Sequence, residues 1–210
     1  MREVLARHRA RPDETWTIRA SNAGLELEHG GRSYVVPAGE LPQRAMLADG
    51  VLIKGMLTVG LAPGRPREAF ALDDAAMTEL VRGLGPEVAA RWLLGQRLRF
   101  MVTLGLAFLL ASLPIAGDPE SGAEGAEADW YEAGLGVGLF VLAAAVRWRP
   151  RAWLFVVEAV WFFVLALKGA VAVATGTQSA GWLVLYATVA TMGVTSLRLY
   201  RRLRAAAAPA

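Results

Sequence analysis

Residues 152–174 read AWLFVVEAVWFFVLALKGAVAVA. Coiled as an α-helix at about 1.5 Å per residue, this run crosses a hydrocarbon core of roughly 30 Å. It carries two charges, Glu158 and Lys168. Three further apolar stretches share the C-terminal half, at about 100–116, 131–148 and 180–197. The shorter ones reach across a bilayer only with their aromatic and arginine flanks included.

The flanks agree on one orientation. Arg97 and Arg99 precede the first stretch, Arg147, Arg149 and Arg151 surround the join of the second and third, and Arg198, Arg201, Arg202 and Arg204 follow the fourth. The loop Gly117–Glu132 holds six acidic residues, Asp118, Glu120, Glu124, Glu127, Asp129 and Glu132, and no Lys or Arg. Thr175–Ser179 holds no charge. Basic residues near span ends stay cytoplasmic, so the pattern predicts four spans with both termini inside. The expected location is a bacterial inner membrane. These arginines are also placed to hold anionic lipid headgroups, at about 1 kcal/mol per basic residue. Trp130, Tyr131, Trp148, Trp153 and Trp182 fall at the span ends, where interfacial belts of aromatic residues form.

Composition agrees. The 210 residues are 55% hydrophobic and 20% charged, with a mean hydropathy of +0.37, more apolar than a soluble domain of this size requires. The net charge is +3, but the arginines flank apolar stretches rather than forming a nucleic-acid footprint. There is no cysteine, which excludes disulfides, thiol catalysis and Cys-ligated zinc. The two histidines, His8 and His29, both lie outside the apolar half, so that half contains no His-based metal site or Ser-His-Asp triad.

The N-terminal half reads differently. Residues 1–12 carry Arg2, Arg7, Arg9 and Arg11 without an apolar run behind them, unlike a secretory signal; a frayed or amphipathic start is expected. Leu25-Glu26-Leu27-Glu28 alternates with period two. Gly30-Gly31 then separates it from Ser33-Tyr34-Val35-Val36, as in a hairpin. Asp49-Gly50 and Pro63-Gly64 are further turns, and Val51–Ala62 reads as one long strand bulged at Gly55. The expectation is an antiparallel meander of five or six strands. Asp73 or Asp74 then caps a helix over Ala75–Leu84, ended by Gly85, and Pro86 starts another that leads towards the first span.

The meander Thr15–Leu72 and its closing helix, above all Phe70-Ala71-Leu72-Asp73-Asp74 where a last strand turns straight into a capped helix, resemble the bacterial pleckstrin-homology-like domains of small membrane proteins. The resemblance covers about residues 13–85 and implies binding or scaffolding rather than catalysis. The predicted fold class is therefore α+β. Segment 1–12 is followed by a cytoplasmic β-rich domain over 13–85, a juxtamembrane helix over 86–99, and a four-helix transmembrane bundle with a basic tail over 100–210.

Candidate sites are few. Charges within a span are costly unless they face protein or water, which singles out Glu158 and Lys168. Their spacing along one helix, about 15 Å, keeps them from pairing with each other. Thr188, Thr191 and Thr195 repeat on one face of the fourth stretch, either hydrogen-bonding between helices or lining a polar route. Gly134 with Gly138, and Ala166, Ala170 and Ala174, are small-residue repeats that permit close helix approach. The acidic loop lacks the Ca²⁺-loop pattern, no phosphate-binding or zinc-protease motif is present, and His29, Asp49 and Lys54 do not compose a catalytic set. No catalytic, cofactor or metal residues are assigned. The leading expectation is a non-enzymatic membrane protein whose cytoplasmic domain serves interaction, sensing or scaffolding, with the bilayer, its anionic headgroups, and a protein partner or second copy as partners. The alternative is a small transporter or channel subunit using Glu158 and Lys168 beside Thr188 and Thr191.

Overall fold

In the computed structural model, which describes residues 1–50, 55–62, 66–111, 130–176 and 181–208, the chain opens with a strand rather than a frayed segment. Strand β1 (Arg2–His8) turns Val4, Ala6 and His8 inwards and Glu3, Leu5 and Arg7 outwards. This is period two, disguised because an inward position is a histidine and an outward one a leucine. Six strands follow: β2 (Thr15–Ser21), β3 (Gly24–His29), β4 (Arg32–Pro37), β5 (Ala45–Ala48), β6 (Met56–Val59) and β7 (Glu68–Ala71). All pair antiparallel in the order β4-β3-β2-β1-β7-β6-β5. The seventh strand is thus β1, which closes the two halves of the meander by pairing Arg7 with Ala71 and His8 with Phe70.

The remaining departures are local. Gly30 and Gly31 both have positive φ, as the predicted β3–β4 hairpin requires. Arg44 ends a short helix α1 (Leu41–Arg44) that packs on β5 and β4. Of the long strand expected over Val51–Ala62, the described part, 55–62, is strand over Met56–Val59; Val51–Lys54 and the Pro63-Gly64 turn lie outside the described residues.

The inner face of the sheet is apolar. Ile18, Ala20, Leu25, Leu27, Val36, Leu57, Val59 and Phe70 are essentially inaccessible, and each buried large side chain contributes about 1.5–3 kcal/mol. Helix α2 (Asp74–Leu84) adds Met77, Leu80, Val81 and Leu84 to this core, one apolar stripe at helical spacing. Asp73 caps it, its Oδ1 accepting from the Ala76 N–H at 2.7 Å. Gly85, at φ +77°, ends it. Gly83 sits where α2 crosses β2, so close that a Cβ there would lie 2.7 Å from the Ala20 carbonyl oxygen and 2.8 Å from its Cβ.

Four long helices complete the chain: α3 (Pro86–Ala111), α4 (Trp130–Trp148), α5 (Leu154–Ala174) and α6 (Trp182–Ala207). The juxtamembrane and first apolar segments are one helix, because nothing between Pro86 and Ala111 breaks it. The basic tail is likewise the last turns of α6. Among the described residues, Pro86–Leu110 and Leu154–Ala174 are long and apolar enough to cross a membrane, while Ala133–Trp148 is apolar but shorter.

The chain divides into two compact units, Met1–Leu93 with Arg151–Ala210, and Leu94–Pro150. In the first, Trp92 is buried and donates its Nε1 proton to the Ala45 carbonyl at 2.9 Å, and α5 packs along α6 with the Tyr186 ring over Gly169 and the Phe163 ring over Gly193. In the second, the close approach is Gly105 with Gly136, where a Cβ on Gly136 would lie 2.8 Å from the Gly105 carbonyl oxygen. Gly134, read from the sequence as half of a contact pair, would meet nothing within 4 Å. Ala170 and Ala174 are exposed.

Gly83→Ala is expected to destabilise the β domain by about 1–3 kcal/mol, the cost of overpacking. Gly39→Ala, where a Cβ meets nothing within 4 Å, is expected to change stability by less than about 0.5 kcal/mol. Denaturant unfolding followed by tryptophan fluorescence separates the two; equal effects would contradict the close α2–β2 crossing.

Candidate functional site

The most heavily bonded polar site lies where the end of α6 meets the β domain. Asp49 stands at the end of β5, its side chain 1% exposed. Its Oδ2 accepts from Arg202 Nε at 2.9 Å and lies 2.8 Å from Arg202 Nη2. The same guanidinium donates to Asp74 Oδ1 at 3.2 Å, the Asp74 carbonyl at 3.0 Å and Thr78 Oγ1 at 2.9 Å. One arginine therefore ties α6 both to the sheet and to the first turn of α2. Arg198, one turn earlier, donates to the Gly50 carbonyl at 3.1 Å. A fork of N–H donors suits such a multidentate contact where a lysine would not. A cavity of about 330 Å³ opens beside this clasp, lined by Asp49, Asp74, Thr78, Arg198, Arg201, Arg202 and Ala205. The sequence marks Asp49 as a turn residue outside any catalytic set and Arg202 as a topology and headgroup residue; neither spacing nor periodicity joins them.

A second cavity, of about 470 Å³, lies by the β1–β2 and β3–β4 connections and is lined in part by Arg11, Trp16, His29, Arg32, Tyr34 and Glu68. Trp16 is buried on β2 with His29 stacked on it, ring centroids 4.8 Å apart and planes 13° from parallel. Its other neighbours are Phe70, edge-on at 5.3 Å, and Tyr34 at 6.0 Å. His29, read as a surface residue, is half-buried, with Nδ1 3.1 Å from the Thr15 carbonyl. His8 is buried. Its Nδ1 accepts the Arg11 backbone N–H at 3.1 Å, which leaves the ring proton on Nε2, 2.6 Å from Glu68 Oε2. On the sheet's outer surface Arg19 lies between Glu3 and Glu28; the Glu3 hydrogen bond, then the Glu28 charge, hold its guanidinium above its ordinary value.

Among the candidates on α5 and α6, Glu158 and the threonines stand apart. Glu158 is fully buried, and Ser196 Oγ on α6 donates to its Oε2 at 3.2 Å. Lys168 is half-buried. Thr188 and Thr191 are not with Glu158: their hydroxyls donate within α6, to the Val184 and Thr188 carbonyls at 2.8 and 2.7 Å, and Thr195 does the same to Thr191. The hydroxyl face of α6 thus bonds to its own backbone instead of across to another helix. Ser196 reaches Glu158 because it falls on the buried side of α6.

Arg99, Arg147, Arg149, Arg151, Arg201 and Arg204 are exposed, and Arg97 is half-buried. The acidic residues 118–129 lie outside the described residues. Among the described residues, no cluster of three or more His, Cys, Asp or Glu side chains is placed to hold a metal ion. Comparison with protein-family models finds no match, and neither a search of curated proteins nor one of solved structures returns one.

Ser196→Ala removes a donor from a buried carboxylate and is expected to cost about 1–3 kcal/mol, read as a lowered thermal midpoint of the full chain in detergent. Thr188→Ala, whose hydroxyl only back-bonds, is expected to leave the midpoint nearly unchanged; the reverse order would mean the hydroxyl face is the structural one.

Proposed function

We propose that this chain is a non-enzymatic, multi-pass membrane protein whose β-rich domain, pleckstrin-homology-like in plan, serves interaction or scaffolding at the cytoplasmic face of a bacterial inner membrane. Four spans, drawn from α3, α4, α5 and the first part of α6, place both termini inside. The observation that carries the reading is the apolar exterior of these helices. Val102, Leu106 and Leu110 on α3, Val137 and Val141 on α4, Val157, Val160, Val164, Leu167 and Val171 on α5, and Val184 on α6 are all exposed. Apolar stripes of that length in water mark an interaction or lipid surface. Trp130, Trp148 and Trp153 are exposed at helix ends, where an interfacial belt would lie. The arginine asymmetry supplies the orientation, and anionic headgroups at the inner face are the expected lipid partners. A protein partner or a second copy completes the interaction reading.

The transport alternative draws on Glu158 and Lys168. Ser196 donates to Glu158 while the Thr188 and Thr191 hydroxyls bond within α6, which favours a structural use of the buried acid.

The absence of cysteine makes the topology directly testable. Ser121→Cys is expected to react with an impermeant maleimide in intact cells, and Ala206→Cys only after the inner membrane is opened. Reaction of both from one side would overturn the four-span arrangement. In sealed proteoliposomes the wild-type chain is expected to carry no proton or cation flux above protein-free vesicles. A flux abolished by Glu158→Gln would establish the transport reading instead.

A further inference from the structure

The four C-terminal arginines look alike in sequence and are used differently in the structure. Arg202 is withdrawn from solvent, its side chain 11% exposed, and every contact it makes is to the β domain: Asp49, Asp74 and Thr78. Arg198 turns the same way, to the Gly50 carbonyl. Arg201, at the rim of the cavity beside the clasp, and Arg204 are exposed, and among the described residues neither guanidinium has a hydrogen bond or ion pair. Two residues on the Arg202 side, Leu199 and Leu203, are buried. A helix end that carries two arginines bonded to the β domain and two left open to solvent can serve two kinds of binding.

We propose that the inner end of α6 is bifunctional. Its Arg198–Arg202 face is the docking surface that fastens the β domain, and its Arg201–Arg204 face binds the headgroups of anionic phospholipid. The lipid half rests on the membrane reading above; the docking half does not. Two arguments assign the faces. A guanidinium already bonded to a buried carboxylate is not available to a phosphate, since taking it away would strand the acid. An open pair of guanidiniums beside an apolar helix attracts the anionic lipids of the inner leaflet, with the bidentate geometry phosphate oxygens accept.

The test is a double dissociation in the full chain, reconstituted in vesicles of phosphatidylcholine with or without phosphatidylglycerol. Spin labels on Ser33→Cys and Ala174→Cys, the only cysteines present, report docking as the width of their distance distribution. The rise in thermal midpoint with phosphatidylglycerol reports headgroup binding. Asp49→Asn or Arg202→Ala is expected to broaden the distribution in both vesicle types while keeping the lipid-dependent rise. Arg201→Ala with Arg204→Ala is expected to remove at least half of that rise while the distribution stays narrow. The swap Asp49→Arg with Arg202→Asp is expected to narrow the distribution again, which separates a lost ion pair from a misfolded domain.

The assignment is overturned if Arg202→Ala abolishes the lipid response with docking intact, or if the Arg201 and Arg204 changes undock the domain. A rise reproduced by millimolar inorganic phosphate in phosphatidylcholine vesicles would give the face to a soluble anion and overturn the lipid half. Release of the wild-type chain from native membranes by alkaline carbonate would reject the membrane reading itself, an outcome independent of whether Arg202 controls docking.

Discussion

The ion pair between Asp49 and Arg202 joins residues 153 apart in the chain and fixes what the rest of the first unit does. A nearly inaccessible carboxylate cannot stay charged without a partner, and losing one side of such a pair costs about 3–5 kcal/mol. Its net contribution is smaller, because both groups lose water when they meet. The clasp therefore specifies more than it stabilises. Apolar burial of Leu199 and Leu203 makes the contact favourable, and Arg202, reaching Asp49, Asp74 and Thr78 at once, sets its register. A slip of one residue along α6 would put Arg201 or Leu203 opposite the acid.

The same economy governs the apolar helices. Between α5 and α6 the contact is made by rings lying over glycines, Tyr186 on Gly169 and Phe163 on Gly193. Such close approach is how helices associate where apolar burial gives no advantage over lipid. Glu158 is tolerated at full burial with Ser196 as a hydrogen-bonding neighbour, and the threonines of α6 satisfy their hydroxyls on their own backbone. Polar groups in this helix pair are absorbed one by one.

Features encoded within a few residues were legible in the sequence. The Asp73 cap and Gly85 stop around α2, the Gly30-Gly31 hairpin, and the extents of α4 and α5 all follow from local chemistry or continuous periodicity. The misses are of two kinds. Strand β1 was hidden because its inward face reads Val4, Ala6, His8, and a buried histidine bonded to Glu68 has no hydrophobic signature. The Asp49–Arg202 clasp was hidden because it is a relation between a turn and a helix end. An arginine used for docking and an arginine left for solvent are the same letter until the partner strand is in place.

Antiparallel connectivity then decides which parts of the β domain remain open. Strand β6 runs from the Asp49 side of its hairpin with β5 towards Leu61, which borders the cavity at Trp16 and His29. The clasp and that cavity accordingly lie at opposite ends of the strand. The connections β1–β2, β3–β4 and β6–β7 gather at the cavity end. The Asp49-Gly50 corner and the start of α2 lie at the other, where Met56 pairs with both Ala48 and Ala71. Fastening α6 to the domain thus occupies the end that carries Asp49 and leaves the aromatic end, with its exposed Arg32 and stacked His29, uncovered by that helix. A domain fastened in this way is held by α6 at the Asp49 end and open at the other.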